Sequence, residues 1–146
     1  MSINHFYKPL EKAFSLGNNF LNELDTQSVG ARLSYEELKS LWNWDLPEKG
    51  MPSENVIAEL NESAIPGLNL NQSGRFFAWV IGGSHPSAIA ADWLTSVWDQ
   101  NAGLYACTPS SGIVEEIAGS WLKQLLKLPP QASFAFVTGC QMANFT

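Results

Sequence analysis

The sequence predicts a mostly α chain with one or two short strands. Three observations carry this expectation. Apolar residues recur at helical spacing over much of the chain. Helix-start signals precede several of those stretches. Two short aromatic, β-prone runs interrupt them, Arg75-Phe76-Phe77-Ala78-Trp79-Val80 and Ala132-Ser133-Phe134-Ala135-Phe136-Val137.

The first third reads as short helices. Beyond Phe6, residues Leu10, Phe14, Leu21 and Leu24 return near helical spacing, and Ala13, Leu16 and Phe20 widen the stripe. Gly17-Asn18-Asn19 weakens its middle and marks a candidate kink. Ser34-Tyr35-Glu36-Glu37 is a capping box: the Ser hydroxyl can accept from the amide three residues on, and Glu37 can reach back. A short helix to about Trp42 follows. A loop from Asp45 to Pro52 leads to Ser53, expected to cap a helix carrying Val56, Ile57 and Leu60, which Ile65-Pro66-Gly67 ends.

Signals sharpen in the second half. The run at 75–80 is expected to be a strand ending at Gly82-Gly83. His85-Pro86 puts a proline at a helix start, where its missing N–H costs nothing. Ile89, Trp93, Leu94, Val97 and Trp98 form one face of that helix. Thr108-Pro109 supplies a cap and a first position for the next. Its stripe includes Ile113, Ile117, Trp121, Leu122 and Leu125, with Glu115 and Glu116 early and Lys123 and Lys127 late, matching the helix dipole. Leu128-Pro129-Pro130 stops it. The run at 132–137 reads as a buried strand, and Thr138-Gly139-Cys140-Gln141 as a turn into a new helix. A strand, a turn and a helix start invite a crossover to a second parallel strand. Two readings stay open: an α-rich domain with a small hairpin or a strand paired across a dimer, or the front portion of a larger α/β protein.

Composition narrows the function classes. The chain has 146 residues, enough to bury a core without disulfides or metal. Fourteen acidic against eight basic residues give a net charge of −6, which argues against a nucleic-acid partner. Only 15% of residues are charged while 12% are aromatic, six of them Trp, so a partner chain is expected to cover apolar surface. No apolar run approaches the roughly 20 residues of a membrane span, and no leader follows Met1. Cys107 and Cys140 are far apart and lack Cys or His neighbours, so neither a disulfide framework nor a zinc site is expected. A reducing cytoplasm is the default location. Cys107 is expected to be a small buried hydrophobe.

Two stretches carry candidate chemistry. Thr138-Gly139-Cys140-Gln141 is either an ordinary strand-to-helix turn or a cradle whose backbone amides hold a phosphate. Arg75 with Phe76, Phe77 and Trp79 is either strand packing or the wall of a pocket for an aromatic carboxylate. No Gly-x-Ser-x-Gly elbow is present, and the two His residues have no matching metal-ligand pattern.

From about residue 65 onward the chain resembles the group II amino-acid decarboxylases, which depend on pyridoxal phosphate and include aromatic-amino-acid and glutamate decarboxylases. The resemblance rests on several segments in order: the run at 75–80; Pro86 and its helix; Pro109 through Leu128 with Glu115, Trp121 and Leu122; and Phe136-Val137-Thr138-Gly139-Cys140-Gln141-Met142-Ala143-Asn144. It implies the start of a type I, aspartate-aminotransferase-like fold. Residues 1–70 would be a helical lobe that dimerises, and 71–146 the beginning of the large cofactor domain, truncated after the phosphate turn. Thr138, Gly139, Cys140 and Gln141 would grip the cofactor phosphate, with Gln141 in place of a customary Ser or Thr and Met142 in place of a customary Glu. Arg75, Phe76 and Tyr105 would lie near the substrate pocket, although Gly74 and Arg75 depart from the usual proline and aromatic.

The family tethers its cofactor as a Schiff base on a lysine, commonly one that follows a His, and this lysine lies beyond the phosphate turn. Here His5 precedes Phe6, His85 precedes Pro86, and all six lysines (8, 12, 39, 49, 123 and 127) precede the turn. The resemblance therefore implies a decarboxylase segment that is inactive and does not hold pyridoxal phosphate by itself. Its implied partners are a second copy, a separate C-terminal half or a full-length relative. The alternative is a non-catalytic helical dimerisation module, or a truncated-gene product without pyridoxal-phosphate chemistry.

Overall fold

A computed structural model describes residues 4–146. They form six α-helices and one 3₁₀ turn, and no β-strand occurs among the described residues. The chain divides into two compact units, one ending at His85 and one spanning Pro86–Thr146.

In the first unit, α1 (Asn4–Asn22) is a single element that runs through Gly17, Asn18 and Asn19. Pro9 sits inside it, removing the donor that would reach the carbonyl of His5. α2 (Tyr35–Trp42) starts on the expected capping box. The Glu37 amide donates to Ser34 Oγ at 3.4 Å, and Glu37 Oε2 accepts from the Ser34 amide at 2.8 Å and from its hydroxyl at 2.7 Å. α3 (Ser53–Ala64) differs from expectation: Ser53 is its first residue, and Pro52 is the N-cap with no side-chain bond. The Pro52 carbonyl instead accepts from the Asn55 and Val56 amides at 2.9 and 3.2 Å. Both α1 and α2 pack on α3, and Lys8 pairs with Glu54 at 3.4 Å. The 3₁₀ turn Ile65–Gly67 ends α3. A Cβ on Gly67 would stand 2.9 Å from Leu38 Cδ2, so α2 is seated against a position that only glycine leaves clear.

The segment after that turn is stitched to residues 24–32. Arg32 N donates to Pro66 O at 2.8 Å, Leu70 N to Val29 O at 2.9 Å, and Ala31 N to Asn69 Oδ1 at 3.2 Å. Leu70 is buried at the middle of this stitching, 3% exposed.

In the second unit, α4 (Pro86–Trp98) and α5 (Pro109–Leu125) each begin at the expected proline. Thr108 holds the N-cap position of α5 but does not cap with its side chain. Its buried hydroxyl donates to Asn101 O at 2.9 Å instead. α5 ends in a Schellman motif: Lys127 N donates to Gln124 O at 3.1 Å and Leu128 N to Lys123 O at 2.9 Å, with Lys127 left-handed at φ 54°. α6 (Cys140–Phe145) is a short final helix.

Three sequence expectations are corrected. Neither β-prone run is a strand. At 75–80 the backbone turns: Phe76 N closes on Ser73 O at 3.0 Å, and Trp79 and Val80 are both left-handed. A ladder cannot pass through two such residues. At 132–137 the chain is neither helix nor turn, but no other described segment lies alongside to form a ladder. Cys107 is exposed rather than buried.

The core is small: Leu70 is the one buried apolar side chain among the described residues. The accessible surface is 12240 Å². A compact monomer of 16.1 kDa exposes about 7,400 Å². Even two separate compact bodies of 85 and 61 residues would expose only about 8,900 Å² together. Tyr7, Trp44, Phe77, Trp79, Trp98 and Trp121 are among the large apolar side chains left facing solvent.

Candidate functional site

The turn at 138–141 has the backbone that an anion cradle requires. Gly139 has φ 88° and ψ 161°, a conformation that favours glycine, and the space beside its Cα is open. Its amide closes on Val137 O at 3.0 Å, and its carbonyl accepts from Ala143 N at 3.2 Å to start α6. Among the described residues, no acceptor serves the amides of Cys140, Gln141 and Met142. Thr138, Cys140 and Gln141 are exposed. The Cys140 thiol accepts from Asn144 Nδ2 at 3.5 Å, a bond within α6.

The other residues predicted for a site are placed differently. Arg75 is engaged structurally: its Nη2 donates to Leu24 O at 2.9 Å and Gln27 O at 2.8 Å. Its amide donates to the buried Ser73 hydroxyl at 3.2 Å. Phe76 is half-buried and meets Trp79 edge-on, ring centroids 5.9 Å apart. Arg75 and Phe76 belong to the first unit, while Tyr105 and the 138–141 turn belong to the second. Tyr105 lies in the turn before α5, its ring 3.0 Å from where a Cβ on Gly112 would be.

Sequence reasoning missed an open groove of about 870 Å³ in the second unit, at the start of α5. Trp98, Val114, Ala118 and Phe136 give it apolar walls, and Ser110, Ser111 and Glu115 add polar groups. Thr108-Pro109 followed by Glu115 was legible as a helix start, but nothing local announces that α4 and Phe136 approach it. Among the described residues, no group of three His, Cys, Asp or Glu side chains can hold a metal, and no helix is long and apolar enough to cross a membrane.

No family model matches the chain. It is 24% identical over 135 residues to an aromatic-L-amino-acid decarboxylase from Bacillus atrophaeus, covering 92% of this chain and 28% of that one. It is 26% identical over 130 residues to tryptophan decarboxylase 1 from rice (Oryza sativa subsp. japonica), covering 89% and 25%. Its fold matches the crystal structure of Oryza sativa TDC with PLP and tryptamine, with a TM-score of 0.79 at 23% identity over 88% of this chain and 26% of that one. These matches make the chain similar to the group II, pyridoxal-phosphate-dependent decarboxylases. The chain is a decarboxylase-like segment that spans about a quarter of the length of the curated relatives it matches.

Proposed function

We propose that the chain is the N-terminal segment of a pyridoxal-phosphate-dependent amino-acid decarboxylase, and that carboxy-lyase activity requires a lysine-bearing polypeptide in addition to these residues. The observation that carries this reading is the match to such decarboxylases over nine-tenths of the chain, together with a glycine turn whose amides are free. The turn fits the phosphate end of the cofactor. Gly139 keeps its Cβ position open, the amides of Cys140, Gln141 and Met142 are unclaimed, and the Thr138 hydroxyl is exposed. Thr138, Gly139, Cys140 and Gln141 would hold the phosphate through these groups. When bound in such enzymes, the cofactor supplies an electron sink for the charge left by departing CO₂.

Two of the six lysines are engaged. Lys8 pairs with Glu54, and Lys123 Nζ donates to Pro130 O and Ala132 O at 3.0 and 3.1 Å. On this reading these residues supply the phosphate grip, and the tethering amine comes from a region outside residues 1–146. The exposed helical faces favour association as part of the same reading, with the N-terminal helices against another copy or a full-length relative.

Two measurements test it. Millimolar inorganic phosphate should move the backbone amide resonances of Gly139, Cys140 and Gln141, whereas pyridoxal phosphate, untethered, should be removed from the chain by desalting. Unmoved resonances overturn the phosphate role. The chain mixed with cofactor and aromatic amino acids should release no more CO₂ than cofactor alone, and borohydride should not trap the cofactor at one particular lysine. A single trapped lysine, or CO₂ above that background, overturns the need for a lysine-bearing region beyond these residues.

A further inference from the structure

Between Gln72 and Gly83 the first unit carries a closed loop. A Cβ on Gly83 would stand 3.7 Å from Gln72 Cα, so the chain comes back beside its own start. The outer part of the loop holds two consecutive left-handed residues, Trp79 at φ 57° and Val80 at φ 54°. Neither residue type favours this region, and a β-branched side chain is the least suited to it. Such a backbone persists where its surroundings over-determine it. The side chains of Phe77 and Val80 are almost wholly exposed, so packing on them does not supply that restraint.

The root of the loop does. Ser73 N donates to Leu70 O at 2.9 Å, and Phe76 N donates to Ser73 O at 3.0 Å. The buried Ser73 hydroxyl accepts from Arg75 N at 3.2 Å. From this turn Arg75 reaches Leu24 O and Gln27 O, 51 and 48 positions back. Those carbonyls belong to a turn closed by its own bonds, in which Thr26 N and Gln27 N donate to Glu23 O at 3.0 and 3.1 Å. The residue after Arg75 is Phe76, half-buried, whose ring meets Trp79 edge-on at 5.9 Å. An unbroken series of contacts thus runs from the 23–27 turn through Arg75 and Phe76 to the first left-handed residue.

We infer that Arg75 is a positioning residue. Its grip on the Leu24 and Gln27 carbonyls sets Phe76, and the Phe76–Trp79 contact in turn holds residues 79 and 80 in the left-handed form. The inference stands on the geometry of the loop and does not depend on the decarboxylase reading. Under that reading Phe76 lies near the substrate pocket, and Arg75 shapes the pocket through it.

The test is NMR of the full chain. The parent should show a cross-peak between the Phe76 ring and the Trp79 indole. Trp79 and Val80 should each show the strong HN–Hα cross-peak within one residue that a positive φ produces. Arg75→Met should lose all three signals and speed exchange of the Phe76 amide about fivefold or more, while α1 and α3 keep their protection. Adding Val80→Gly to Arg75→Met should bring back part of the ring contact, because glycine adopts that φ freely. A parent chain without the ring contact overturns the inference, and so does an Arg75→Met variant that keeps the contact and the left-handed signals. Loss of α1 and α3 in that variant also overturns it, since Arg75 would then hold the whole unit and not the loop. So does a double variant in which Val80→Gly restores nothing.

Discussion

The ring of Phe134 lies against Gly119 so closely that a Cβ on that glycine would overlap its ring carbons. Gly119 is buried in the middle of α5, and the ring is further placed by Phe136 and by the Lys123 ammonium, 5.8 Å from its centroid. Gly119→Ala must push the ring off the helix. Overpacking of this kind costs about 1–3 kcal/mol, partly offset by about 1 kcal/mol of alanine's helix preference. The expected outcome is a second unit destabilised by about 1–2 kcal/mol in urea unfolding. The double variant Gly119→Ala/Phe134→Ala should lose less than the sum of the two single variants, because the clash disappears with the ring.

Arg75 is the clip between two distant stretches of the first unit. One guanidinium nitrogen serves the carbonyls of both Leu24 and Gln27. Arg75→Met keeps much of the aliphatic stem and removes both bonds. Charge-assisted bonds at an exposed site are discounted for water competition, so a loss of about 1 kcal/mol is expected. Amide exchange at 23–27 should accelerate, whereas exchange in α5 should not. Unchanged exchange at 23–27 would show that the turn holds without the clip.

What could be read from the sequence was what is local. Ser34 and Glu37 are three residues apart, so their capping box needs only one helical turn. Pro86 and Pro109 announce helix starts by their own chemistry. Gly139 is legible for the same reason, since a positive φ at a turn favours glycine. The failures are all non-local. Phe134, Ala135 and Phe136 have strand-like composition, yet a strand exists only with a neighbour, and none of the described residues supplies one. The partners of Arg75 were not legible because the carbonyls it serves lie 51 and 48 positions away. The groove joins Trp98, Glu115 and Phe136 through packing that no short window of sequence encodes.

Glu37 makes α2 sensitive to acid. Hydrogen bonds from the Ser34 backbone and then its side chain hold the Glu37 carboxyl below the usual 4.5. A carboxyl whose folded pKa is depressed contributes its stability in full above the unfolded value, and loses it as pH falls through the folded value. Fraying at the start of α2 should therefore begin only below about pH 4.5 and deepen with further acid. Amide exchange or carbonyl shifts at Tyr35, Glu36 and Glu37 would report it. Glu37→Gln, which does not titrate, should flatten that pH dependence, and a profile unchanged by the substitution would assign the fraying elsewhere.

Lys127 occupies the one position of α5's closing motif that ordinarily takes glycine. Its φ of 54° places it in the left-handed region, while the bonds from Lys127 N to Gln124 O and Leu128 N to Lys123 O fix it there. A side chain in that region costs about 1 kcal/mol relative to glycine. Lys127→Gly should relieve most of this, less what the unfolded chain gains in freedom from a new glycine. The expected net is a stabilisation of about 0.5 kcal/mol, seen as a higher urea midpoint with unchanged slope. Lys127→Val, which adds branching at the same φ, should move the midpoint the other way. If both variants unfold like the parent, the motif is held by the packing around Leu128, and the left-handed residue carries no strain.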